Sequence, residues 1–100
     1  MDIRYSANPG DVKRYTTEEL RKEFLIENLY VPDTVQAVYS HVDRMVVLGI
    51  LPVNAAVPID QGIDVWANFG TRCFIERREA GVFTLGGPGA ISVDGKEYRL

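Results

Sequence analysis

Residues 74–100 read F-I-E-R-R-E-A-G-V-F-T-L-G-G-P-G-A-I-S-V-D-G-K-E-Y-R-L, and the punctuation of this stretch decides the fold class. Phe83 and Leu85 alternate with Thr84 until Gly86-Gly87-Pro88-Gly89 breaks the pattern. Ile91 and Val93 then alternate with Ser92 up to Asp94-Gly95. An Asp-Gly pair between alternating apolar residues is the strongest short-range hairpin signal, because a two-residue type I′ loop needs positive φ at both positions. Such a loop pairs Val93 with Lys96 and Ile91 with Tyr98, which places Ile91, Val93 and Tyr98 on one face and Ser92 and Glu97 on the other. Leu100 falls inside the returning strand, so the expectation is a piece of a longer protein.

Working back toward the N-terminus, Arg72–Ile75 reads as a strand leading into the hairpin region, and Asp60–Asn68 as a loop bounded by Gly62 and Gly70. Pro52 and Pro58 bracket Val53–Val57, an extended segment suited to a sheet edge. Met45–Leu51 (M-V-V-L-G-I-L) is apolar on both faces and reads as a central or doubly covered strand, with Gly49 marking a bulge or a close backbone approach. Val35–Val42, rich in β-branched and aromatic residues, is a further strand, and Leu29–Val31 a short extended run ended by Pro32. Thr16 followed three residues later by Glu19 forms a capping box and predicts a helix start, with Leu20 and Phe24 on its apolar side. One short helix followed by about seven short strands predicts a mainly β chain, an antiparallel sandwich or barrel with the helix as an outside brace.

The bulk properties narrow the function classes. At 100 residues, 46% hydrophobic and 25% charged, the chain has the composition of one soluble domain or part of one. A formal net charge of −3 and the absence of a basic stripe argue against nucleic-acid binding, which needs cations to neutralise phosphates. The longest apolar runs fall far short of the ~20 residues of a membrane helix, so no membrane association is expected. No secretory signal opens the chain, and the single cysteine, Cys73, fits a reducing compartment, which together point to the cytoplasm.

Few residues offer chemistry. His41, the sole histidine, lies in Tyr39-Ser40-His41-Val42-Asp43-Arg44. One histidine cannot supply the ligands of a zinc site, and a structural or interface role competes with that of a general base. Glu76-Arg77-Arg78-Glu79 is the densest charge cluster; as a strand it would pair Glu76 with Arg78 and Arg77 with Glu79 on opposite faces. Arginines so oriented could capture a carboxylate bidentately, and the competing reading is an exposed ion-pair network. Gly86–Gly89 opens no helix and precedes no Lys-Ser or Lys-Thr, so it reads as a turn rather than a phosphate loop. Cys73 lacks a histidine neighbour, and Trp66, Phe69 and Tyr5 read as packing or interface residues.

Five segments, in order, carry a resemblance to a known family. They are Leu20-Arg21-x-Glu23-Phe24-Leu25, Tyr39-Ser40-His41-x-Asp43-Arg44, Gly49-Ile50-x-Pro52, Phe74-Ile75-Glu76-Arg77-Arg78-Glu79-x-Gly81 and Gly86-Gly87-x-Gly89-x-Ile91-x-Val93-Asp94-Gly95. Together they resemble the N-terminal part of the 5-keto-4-deoxyuronate isomerases, the ketol-isomerases of pectin breakdown. Little aligns between Pro52 and Gly70. The resemblance implies a cupin architecture of two β-barrels, a hexameric assembly and a deoxyuronate sugar as substrate. It also implies a zinc ion bound by three histidines and a glutamate of the C-terminal barrel. Placing the final glycine of the cupin metal motif on Gly87 sets its ligand positions at Cys73, Ile75 and Ala80, none of them a ligand of that motif. The expectation is therefore a metal-free half-barrel that binds no zinc itself. Residues 1–30 would brace the sheet with their helix and residues 31–100 would form part of the cupin-like barrel. An anionic substrate makes Arg44, Arg77 and Arg78, with His41 behind them, the candidate substrate-binding residues, and no catalytic residue is expected here. The rival reading is a non-catalytic cupin module that binds an acidic sugar or serves oligomerisation.

Overall fold

A computed structural model describes residues 1–100. In chain order its elements are β1 (Asp2–Arg4), α1 (Pro9–Val12), α2 (Thr17–Phe24), β2 (Val35–Ser40), β3 (Met45–Ile50), α3 (Val65–Phe69), β4 (Ala90–Val93) and β5 (Lys96–Arg99). The chain is β-rich, but its strands form two separate open sheets, three-stranded β1-β2-β3 and two-stranded β4-β5.

The elements with local chemical signatures form where their residues place them. Asp94 and Gly95 take φ of 49° and 79°, and β4 pairs with β5 in the expected register, Val93 opposite Lys96 and Ile91 opposite Tyr98. The Thr16 hydroxyl accepts the Glu19 N–H at 3.2 Å while the Glu19 carboxylate accepts the Thr16 N–H at 2.6 Å, a complete capping box at the start of α2. β2 and β3 pair antiparallel from Val35 opposite Ile50 to Ser40 opposite Met45, but β2 is the central strand and β3 an edge, the reverse of what the two-faced apolar pattern of 45–51 predicts. Gly49 is the close approach its position predicts. A Cβ there would lie 2.0 Å from the Leu29 carbonyl oxygen, so the 29–31 segment can cross β3 only over a glycine.

Elsewhere the structure corrects the sequence reading. Five strands form, not about seven. β1, for which the polar N-terminal sequence carries no strand signal, lies parallel to β2, Ile3 opposite Tyr39, so the sheet is mixed rather than all-antiparallel. Residues 53–57 form no strand, because Asp33 clamps the start of this segment: its carboxylate accepts the Val53 and Asn54 N–H groups at 2.7 and 2.9 Å. Leu29–Val31 likewise forms no strand, and a single bridge joins Pro32 to Leu51. The supposed loop 60–68 contains most of α3, capped by the Asp64 carboxylate on the Ala67 N–H at 2.8 Å and ended by Gly70 at φ 64°. Residues 72–75 are turn rather than strand. The Glu76 carboxylate takes the Arg72 and Cys73 N–H groups at 2.9 and 3.4 Å, amides a ladder would need, and the chain continues in i→i+3 bonds, Glu76 N–H to Cys73 and Arg78 N–H to Ile75. Phe83 and Leu85 keep their extended alternation without pairing and are 85% and 78% exposed.

What core there is sits against β2. Only Val38, Tyr39, Gly49, Thr71 and Phe74 are buried. The accessible surface is 7943 Å², against about 5,700 Å² for a folded monomer of this mass, and the radius of gyration is 15.6 Å against about 13 Å. The excess carries exposed apolar side chains such as Trp66, Phe83 and Leu85, on surfaces these 100 residues do not cover.

Candidate functional site

The buried residues around β2 support a column of rings. Tyr39, pointing from the middle of the three-stranded sheet, stacks on His41 with centroids 4.5 Å apart, and His41 stacks in turn on Tyr5 at 5.0 Å. In the other direction Tyr39 meets Phe69 of α3 at 5.5 Å, and Phe69 meets Phe74 edge-on at 5.5 Å. The capped turn at 72–78 holds Phe74 in this column and delivers Arg78 to it. The Arg78 guanidinium lies 4.6 Å from the Phe69 ring centroid and 5.2 Å from that of Tyr39. It donates to the Tyr39 hydroxyl at 3.2 Å and to the Arg44 carbonyl at 3.1 Å.

A cleft of about 470 Å³ opens here, lined by Tyr39, Asp43, Arg44, Phe69, Thr71, Phe74, Arg77 and Arg78. Three of the four residues singled out from the sequence, Arg44, Arg77 and Arg78, therefore come together, although 34 positions separate Arg44 from Arg78. His41 does not line the cleft; it reaches it only through the face of Tyr39. The expected pairing of Glu76 with Arg78 and of Glu79 with Arg77 is absent. Ion pairs form only at Arg4–Asp2, Arg14–Asp11 and Arg21–Glu27, because Glu76 is spent on backbone amides. Those amides, Arg72 foremost and then Cys73, hold the Glu76 carboxyl below its ordinary range.

Three arginines against the single carboxylate of Asp43 leave the cleft positively charged, with aromatic walls and the Tyr39 hydroxyl as neutral polar group. That arrangement can hold an anion attached to a ring. A larger hollow between the N-terminal segment and α2 lacks this quality: its Arg4 is taken by Asp2 and by the carbonyls of Glu23 and Leu25, and its Arg21 by Glu27. The residues present do not fit a zinc ion. No three His, Cys, Asp or Glu side chains gather into a metal-binding group, and the lone imidazole is packed between two tyrosine rings. No helix is long and apolar enough to cross a membrane.

Sequence reasoning missed Tyr39 and Phe69. Phe69 would have followed from the Asp64 cap and the Gly70 stop, which together mark out α3. For Tyr39 the signals are its position in the Val35–Val42 strand and its place at the head of the Tyr39-Ser40-His41-x-Asp43-Arg44 segment.

No family model matches the chain. Individual relatives do, along all 100 residues. The chain is 44% identical to the 4-deoxy-L-threo-5-hexosulose-uronate ketol-isomerase of Halalkalibacterium halodurans, 46% to that of Lachnospira eligens and 44% to that of Pectobacterium carotovorum. The resemblance seen in the five segments thus extends over the whole chain, including the stretch between Pro52 and Gly70. The chain spans about a third of the length of these curated relatives, 34–35%.

Proposed function

We propose that these 100 residues are the N-terminal part of a longer ketol-isomerase acting on a 4-deoxy-5-keto-uronate, and that they contribute scaffold and substrate contacts rather than the chemical step. The observation that carries this reading is identity of 41–46% along the entire chain to relatives bearing that enzyme name. The reaction, between 5-dehydro-4-deoxy-D-glucuronate and 3-deoxy-D-glycero-2,5-hexodiulosonate, shifts a carbonyl to a neighbouring carbon. It moves one proton between the two carbons and one between their oxygens through an enediol, with no net oxidation. It needs a base poised at the carbon and polarisation of the oxygens. Neither His41, stacked on both sides, nor Glu76, tied to two amides, is set out for the first task. The ligands for the family's zinc belong, on this reading, outside these residues.

What the chain offers instead is charge. Arg44, Arg77 and Arg78 line a cleft with no ion-pair partner, suited to the substrate's carboxylate, with His41 supporting Tyr39 from behind. The uncovered apolar surface supports completion of a cupin-like barrel, and assembly into an oligomer, by residues outside this chain. Reading the coding sequence beyond codon 100 tests the proposal. A continuation about twice as long again, carrying two histidines and a glutamate at cupin spacing and then a third histidine, is expected. A reading frame that stops after Leu100 would overturn it in favour of a non-catalytic module.

A further inference from the structure

The geometry points to Tyr39 and Phe69 as the residues that decide what the cleft accepts: they hold Arg78 as a pre-set anchor for the single carboxylate of a sugar acid, with the Tyr39 hydroxyl as second donor. This rests on the reading of the cleft as the seat of the substrate's carboxylate and adds its anchor and the residues that hold that anchor.

Arg78 is restrained at four points, by hydrogen bonds to the Tyr39 hydroxyl and the Arg44 carbonyl and by the rings of Phe69 and Tyr39. A guanidinium fixed in this way has already lost the freedom that a ligand would otherwise have to remove. Both acceptors are neutral and no carboxylate pairs with Arg78, so its charge is uncompensated in a half-buried position. Only two of the five N–H groups of a guanidinium are used, which leaves three for a ligand.

Tyr39 adds a donor beside them. Its oxygen accepts from Arg78, and its own proton meets no acceptor of the chain although the residue is only 9% exposed. A carboxylate seated on Arg78 therefore finds charged and neutral donors side by side, a geometry that matches two adjacent oxygens. Asp43, the one acidic residue lining the cleft, offsets only one of the three arginine charges, so charge alone draws any anion, and preference for a sugar acid over inorganic phosphate has to come from the ring contact. Phe69, Phe74 and Tyr39 provide the apolar wall against which the C–H face of a sugar ring can lie, in a volume of about 470 Å³.

The test is a titration of the 100-residue protein with D-galacturonate, followed by amide and arginine Nε–H resonances. D-galactose, inorganic phosphate and a protein dilution series serve as separate arms. Galacturonate is expected to shift Arg78 Nε–H saturably in the millimolar range, galactose to leave it in place up to roughly 100 mM, and phosphate, which lacks the ring contact, to need about tenfold more than galacturonate. Tyr39→Phe, which keeps the ring and the fold, is expected to weaken binding about fivefold, and Arg78→Lys about tenfold or more. Phe69→Leu is expected to broaden the Arg78 resonance and weaken binding by a similar factor to Tyr39→Phe. If wild-type protein ignores galacturonate, the anion site itself is wrong. If it binds galacturonate and Tyr39→Phe binds equally well, the anion site stands and the assignment to Tyr39 is overturned. Equal binding of phosphate would refute the ring contact, and an Arg78 shift that tracks protein concentration alone would mean that a second copy of the chain fills the cleft.

Discussion

Replacing Gly49 by alanine should destabilise this fold more than the same change at any other glycine, since no other added Cβ would meet an atom nearer than 3.1 Å. Gly49 lies in β3 opposite Gln36, and its φ is not positive, so an alanine would find the backbone conformation ordinary. The penalty is purely steric. The new Cβ would sit 2.0 Å from the Leu29 carbonyl oxygen, 2.4 Å from the Leu29 Cγ and 2.7 Å from the Leu29 carbonyl carbon, where ordinary contact begins at 3.4 Å. The crossing segment must therefore retreat by about 1.4 Å, and two of the three obstructing atoms are backbone, which no rotamer change can move. Overpacking of this kind costs about 1–3 kcal/mol, and the backbone collision puts Gly49→Ala at the upper end, a fall in Tm of about 10 °C or more for a chain this size. Urea and thermal unfolding followed by circular dichroism read it out, with Leu29→Ala and the double variant completing a cycle. Leu29→Ala removes only the Cγ obstruction, so the double variant should recover less than half of the loss. An unchanged midpoint for Gly49→Ala, or full rescue by Leu29→Ala, would refute the backbone collision.

Three further outcomes test the local chemistry. Thr16→Ala removes one half of the capping box and should cost about 1 kcal/mol, seen as a lower urea midpoint and reduced helical signal from α2; an unchanged midpoint would mean that α2 is held by something other than its cap. The Asp33 carboxyl is held below its ordinary value of 3.8, first by the Asn54 N–H, then by that of Val53 and by the Asn54 side chain. A depressed folded value means that this contribution is complete above pH ~4 and fades as pH falls through the lowered one, so acid should lower the stability of wild-type protein more than that of Asp33→Asn, and parallel pH curves would contradict it. Gly95→Ala forces a side chain onto a φ of 79° and should cost about 1 kcal/mol or more, measurable as faster hydrogen exchange of the Leu100 N–H, which bonds to Gly89; unchanged exchange would place the hairpin's stability elsewhere.

The parts of this fold that could be read in the sequence are those with short-range causes. Asp94-Gly95 dictates its hairpin and Thr16 with Glu19 dictates its helix, because turn and cap chemistry act within four residues. The errors have equally physical origins. Alternation at Phe83–Leu85 reports a face meant for burial, not a partner strand, and these residues find none here. Apolar content made 72–75 look like a strand, but the Glu76 carboxylate competes for its amides and wins. The pairing of β1 with β2 joins residues far apart in the chain and leaves no local trace. The site divides in the same way. Its charge was visible in Arg44, Arg77 and Arg78, whereas its organisation by Tyr39 and Phe69 depends on contacts between β2, α3 and the 72–78 turn.

Whether these residues bind and scaffold while the chemical step lies elsewhere is decided by an isomerisation assay. Purified 100-residue protein would be supplied with 4-deoxy-L-threo-5-hexosulose-uronate, with and without added zinc. No conversion above the buffer rate is expected in either case; turnover that appears with zinc and is abolished by a chelator would place the chemical step within these residues.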